Sequence, residues 1–154
     1  SFARAVEAAG GPEGACVAYF QSVAAMVLAL RPEVVGHFDL IRRCFQDDTV
    51  VSAPAVRAAA REALAAVREA ETILDVNTGG YRKGLGRPYP APWMVEEARD
   101  MGIPMCFGDD SHSIAQVGAG IDEARQYLLT YGVREITRLR RGRAGLNRET
   151  VPLE

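Results

Sequence analysis

The stretch IPMCFGDDSH, residues 103–112, decides how this chain is read. An apolar run of strand length stops at Gly108, and Asp109, Asp110 and His112 follow at once. The chain has only two histidines. The other, His37, lies in PEVVGHFD (32–39), again an apolar run, a glycine, a histidine and a nearby aspartate. A third run, TILDVN (72–77), ends in a polar residue, Asn77. Polar residues that follow short β-branched runs belong at the carboxyl ends of strands, where α/β folds gather their chemistry.

The segments between these runs have helical character. The spacing predicts helices over 13–30, 54–69, about 93–101 and 121–131, with strands at 34–37, 72–77, 103–107 and 133–139. Pro32 marks the end of the first helix, and Pro54 suits a first helical turn with Ser52 nearby as a cap. Segment 42–52 reads as a polar loop, and TGGYRKGLGRPYPAP (78–92) as a loop ordered by turns. Alternating strands and helices imply βα units and a parallel sheet. No glycine-rich phosphate loop follows the first strand, so a slice of a barrel suits the pattern better than a doubly wound sheet. Four strands cannot close such a barrel, for which about 250 residues and eight strands are typical.

Composition sets the outer limits. At 154 residues, 48% hydrophobic and 25% charged, residues 1–154 read as one domain with a real core. A net charge of -2 gives no global attraction to nucleic acid or an anionic membrane. The longest apolar stretch is broken by Gln21 and Ser22, and no membrane span is expected. Cys16, Cys44 and Cys106 are far apart in apolar surroundings and read as free thiols of a reducing, cytoplasmic setting. Arg134, Arg138, Arg140, Arg141 and Arg143 form either a basic patch or the solvated face of a last strand.

Two readings of the histidines stand side by side. Imidazoles and a carboxylate from His37, Asp110 and His112 offer ligands to a borderline divalent metal. Alternatively, each histidine closes a strand end or hydrogen-bonds a buried carboxylate. In either case Asp39 and Asp109 are groups that hold the imidazole tautomers, or else ion-paired surface residues. Arg82 and Lys83 in NTGGYRKG (77–84) either hold a phosphate, one as a rigid fork and one as a point charge, or form a solvated turn.

Three segments together carry a resemblance: GHFDLIRRC (36–44), LDVNTGGYRKGLGRPYP (74–90) and IPMCFGDDSHSIAQVGAG (103–120). They resemble, in order, the closing segments of the PHP-domain histidinol-phosphatases, over about residues 19–143. The resemblance implies an α/β chain forming the C-terminal part of a distorted (β/α)7 TIM-like barrel. It implies a cluster of two or three divalent metal ions (Mn, Zn or Fe) and hydrolysis of L-histidinol phosphate in histidine biosynthesis. By position it makes His37, Asp110 and His112 metal ligands, with Asp110 and His112 at the catalytic centre. Asn77, Arg82 and Lys83 fall on the loop that meets the small-molecule phosphate substrate.

One departure limits what these residues do alone. The family opens with an H-x-H motif, which this chain lacks. A missing N-terminal half of the barrel, or a second chain, is therefore the expected partner. The alternatives are a related phosphoesterase acting on nucleotides or nucleic-acid ends, and an inert fragment that only assembles.

Overall fold

The structure is a computed structural model that describes residues 2–45, 48–143 and 145–154. Gln46 and Asp47 of the expected polar loop lie outside the described residues. A short helix α1 (Phe2–Ala8) precedes α2 (Pro12–Leu30), and strand β1 (Val34–Val35) follows. Helix α3 (Pro54–Glu69), strand β2 (Ile73–Asn77), the one-turn helix α4 (Gly79–Arg82), helix α5 (Pro92–Asp100) and strand β3 (Met105–Gly108) come next. Helix α6 (Ile121–Thr130) and strands β4 (Glu135–Gly142) and β5 (Gly145–Pro152) complete the order.

Strands β1, β2 and β3 form a parallel sheet in chain order, with Leu74 opposite Met105 and Asn77 opposite Gly108. Alternation along β2 divides its side chains between two faces. Leu74 and Val76 join Val35 and Met105 in the core, under Leu64 and Val67 of α3 and Met94 and Val95 of α5. Each fully buried side chain of this kind stabilises the fold by roughly 1.5–3 kcal/mol. Ile73, Asp75 and Asn77 occupy the opposite face, and all five β2 residues are buried.

The sequence reading holds for α2, α3, α5 and α6 and needs correction elsewhere: α1 was not expected, and α4 lies in the segment 78–92 read as a loop. Helix α3 begins at Pro54 as expected, but its N-cap is Ala53 and Ser52 makes no capping bond. The first strand is shorter than 34–37, because the chain turns sharply at Gly36 and His37, the latter at φ 30°. Two short 3-10 turns, Leu40–Cys44 and Val50–Ser52, occupy the two ends of segment 42–52. The strand expected at 133–139 is found at Glu135–Gly142, but it is not a fourth parallel one: β4 pairs antiparallel with β5 in a hairpin closed at Gly142 and Gly145. The sheet is not closed into a barrel.

Helix α2 is long and apolar enough to cross a membrane by length and composition. Its Cys16, Phe20 and Val27 are buried in the common core, whereas Met26, Leu28 and Leu30 are exposed. Arg31 ends the helix in a left-handed conformation, donating its backbone N–H to Val27 O, and Pro32 prevents continuation. Three of the five arginines expected as a basic patch or a solvated face are ion-paired: Arg138 and Arg140 meet Glu149, and Arg134 meets Glu154; Arg148 of β5 meets Glu33.

Candidate functional site

Three loops leave the carboxyl ends of β1, β2 and β3 on one rim. The first carries His37, the second Asn77, Arg82 and Lys83, and the third Asp109, Asp110 and His112. Both His37 and Asp110 have positive φ, 30° and 50°. A left-handed conformation costs an L-residue roughly 1–2 kcal/mol, so such positions persist only where surrounding contacts fix them. Those contacts are present at both places.

At His37 the backbone N–H donates to Asp75 Oδ2 at 3.1 Å. The same oxygen accepts from Asn77 Nδ2 at 2.7 Å, and Asn77 Oδ1 accepts the Gly79 N–H at 2.9 Å. A string of hydrogen bonds thus runs from the first loop to the second. The His37 ring stands edge-on to the buried Tyr89, with centroids 6.3 Å apart. At Asp110, Arg82 donates to the carbonyls of Asp109 and Asp110, and Lys83 Nζ lies 2.6 Å from Asp110 Oδ2. That hydrogen bond, followed by the coulombic pull of the ammonium, holds the Asp110 carboxyl below the usual carboxylate range.

His112 has a defined tautomer. Its Nδ1 lies 2.7 Å from the Asp110 carbonyl oxygen, which can only accept, so Nδ1 carries a proton. In the neutral ring the lone pair is then on Nε2, the arrangement adopted by histidines that bind metals through Nε2. The His112 backbone N–H donates to Gln116 Oε1 at 2.8 Å and fixes the loop.

Among the described residues neither flanking aspartate bonds an imidazole; Asp39 is ion-paired, but in the interior and not at the surface. Asp39 is fully buried, paired with Arg42 at 3.0 Å and accepting the Ala91 N–H at 2.8 Å. Arg42 is equally buried, reaches Asp48 as well, and lies 5.7 Å over the Tyr89 ring. This cluster braces the first loop against residues 87–91. Asp109 accepts from the backbone of Ser111 and Gly118, and those bonds depress its pKa. It shapes the third loop.

Asp75 escaped the sequence reading. It is 5% exposed, and burial raises its pKa. A single carboxylate inside an apolar strand, on the same face as Asn77, was the available signal. Its fit against β3 is close: a Cβ at Gly108 would collide with Asp75 Oδ1, so only glycine is accommodated there.

The donor types suit a borderline divalent cation, and the His112 tautomer presents the right nitrogen. Among the described residues, however, no three His, Cys, Asp or Glu side chains converge into a cage, and Lys83 already lies on Asp110. The residues fit one wall of a metal site, not a closed one.

Comparison with known proteins places this rim in context. No family model matches the chain. The histidinol-phosphatase of Bacillus subtilis is 30% identical over 123 residues, 77% of this chain and 46% of the relative. The histidinol-phosphatase of Saccharomyces cerevisiae is 29% identical over 136 residues, 73% of this chain and 41% of the relative. The crystal structure of the "putative histidinol phosphatase" of Listeria monocytogenes superposes with a TM-score of 0.68 at 31% identity, covering 77% of this chain and 46% of that one. These similarities link the chain to the PHP and histidinol-phosphatase superfamily, and its α/β fold is related to the barrel-like fold of that group. The matched region spans less than half the length of each relative.

Proposed function

We propose that this chain forms one wall of the active site of a metal-dependent phosphoesterase. The reaction is hydrolysis of a phosphate monoester, L-histidinol phosphate to L-histidinol and phosphate, as a step of histidine biosynthesis. The observation that carries the reading is the meeting of the second and third loops. There Arg82, Lys83, Asp110 and His112 share one corner of the rim.

Each residue has a task in this reading. Arg82, already directed at the third loop, grips phosphoryl oxygens through its planar fork, and Lys83 adds a mobile positive charge. Asp110 and His112 Nε2 face the reacting group from the third loop, and His37 does so from the first. Asn77 holds the second loop in place through Gly79. A divalent metal (manganese, zinc or iron, in a cluster of two or three in the complete site) supplies an acidified water and offsets phosphoryl charge. The remaining donors come from an N-terminal half of the barrel or from a second chain, in a cytoplasmic protein.

Phosphate release from L-histidinol phosphate tests the reading, with added manganese and an EDTA control. Release that EDTA abolishes supports it. Release indifferent to EDTA overturns the metal dependence, and no release with manganese reduces residues 1–154 to a half-site.

A further inference from the structure

The two rim histidines are held by different means. The His112 imidazole is fixed within its own loop, by Nδ1 against the Asp110 carbonyl at 2.7 Å. Asp75 fixes the backbone of His37, but among the described residues no hydrogen bond reaches the His37 ring. That ring is half-buried and meets Tyr89, with the planes at 72° and the centroids 6.3 Å apart. Such a separation and tilt are those of an edge-on ring pair, in which the quadrupoles favour one mutual orientation.

Tyr89 is itself immobilised from several sides. Its backbone exchanges two hydrogen bonds with Asn77, at 2.9 and 3.0 Å, which ties it to the end of β2. The Arg42 guanidinium lies 5.7 Å from the centre of its ring. On either side along the chain, Pro88 O accepts from Arg42 at 3.4 Å, and the Ala91 N–H donates to Asp39 at 2.8 Å. Tyr89 is fully buried, yet it is not part of the apolar cluster beneath the helices. Its surroundings are the Asp39–Arg42 pair and the first loop, so its burial serves the rim. The hydroxyl takes no part: Tyr89 Oη has no hydrogen-bond partner among the described residues. What Tyr89 does for His37 is therefore done by the ring.

We propose that Tyr89 is a positioning residue whose buried ring selects the orientation in which the His37 imidazole faces the rim. The assignment rests on the metal-dependent phosphoesterase reading, in which His37 is one of the facing groups, and adds the element that aims it. Tyr89 acts through His37 alone.

The test is NMR of the 154-residue chain as wild type, Tyr89→Phe and Tyr89→Leu. It reads the three-bond couplings that define His37 χ1 and the NOEs between the two rings. The wild type is expected to show one dominant His37 rotamer and NOEs from its ring to Tyr89. Tyr89→Phe retains that rotamer, because the hydroxyl is idle. Tyr89→Leu shifts the His37 rotamer ratio by about two- to tenfold, as loss of an edge-on ring pair implies. His112, held by its own hydrogen bond, keeps its couplings in all three chains, which general loosening of the rim would not allow. Averaged His37 couplings or absent NOEs in the wild type overturn the proposal without reliance on any variant. An unchanged rotamer in a folded Tyr89→Leu chain overturns it as well, and so does a Tyr89→Phe chain that behaves like Tyr89→Leu. Phosphate release reports the underlying reading separately: metal-dependent release with an averaged wild-type His37 sinks the positioning role alone. Release indifferent to EDTA, with the rotamers as expected, sinks the metal reading and reduces Tyr89 to a structural contact.

Discussion

Lys83 Nζ rests 2.6 Å from Asp110 Oδ2, so an ammonium of the second loop holds the carboxylate of the third. Both side chains are about a quarter exposed, and water screens the pair. Replacement of Lys83 by Met should therefore change melting by at most ~1 kcal/mol. The titration of Asp110 should move more visibly. Its native pKa is depressed, so its contribution to stability is present above the unfolded value and is lost as pH falls through the native one. In Lys83→Met the carboxyl ¹³C titration of Asp110 should shift upward, toward the ordinary 3.8. An unmoved titration would show that the ion pair does not exist in solution.

Asp75 behaves in the opposite sense. Burial raises its native pKa above 3.8, so the native state retains its proton where the unfolded chain has lost it. Its contribution to stability is complete below the unfolded value and is lost as pH rises through the native one. Asp75→Asn removes that slope, and Asn can still accept from His37 and from Asn77. Thermal midpoints recorded from pH 3 upward, at roughly half-unit steps, should decline less for the variant than for the wild type over this window. Parallel curves would refute the assignment.

Arg42 is buried with Asp39 and also serves Asp48. Truncation to Ala strands the Asp39 carboxylate in the interior, which costs about 3–5 kcal/mol. Urea unfolding should record that loss, and His37 ring resonances should move as residues 87–91 come free of the first loop. A loss under 1 kcal/mol would mean that the pair is solvated.

Gly108→Ala is expected to destabilise by about 1–3 kcal/mol, through overpacking against Asp75. A companion change, Gly84→Ala, tests specificity of the argument. A Cβ at Gly84 meets nothing within 4 Å, although its φ of +80° adds backbone strain. Calorimetry that finds Gly108→Ala neutral would mean the sheet is looser at β3 than its register indicates.

How much of this could be read from residues alone differs by element. Helix α3 was legible to both ends, because Pro54 fixes a first turn and apolar residues recur on one face up to Glu69. The strand-end positions of His37, Asp110 and His112 were legible, since glycine with imidazole and carboxylate after an apolar run is a local signal. Arg82 and Lys83 were legible as chemistry, but their attachment to Asp110 spans 27 residues or more and has no local signature. The β4 strand was found without its partner. VREITRL shows β character, but whether it joins a parallel sheet or folds back depends on pairing that only β5 supplies. Asp75 was passed over because one acidic residue in an apolar run looks like an interruption, until its donors are seen.

The bonds that tie the rim together join residues distant along the chain: 38 positions separate His37 from Asp75, and 52 separate Asp39 from Ala91. Non-local links of this kind form late, after the helices and local turns have already reduced the cost of closing such loops. The rim is thus a reporter of completed folding. Hydrogen exchange at the His37 amide, sealed against Asp75, should proceed only when the whole parallel sheet opens, and faster exchange there would reveal a first loop able to detach on its own.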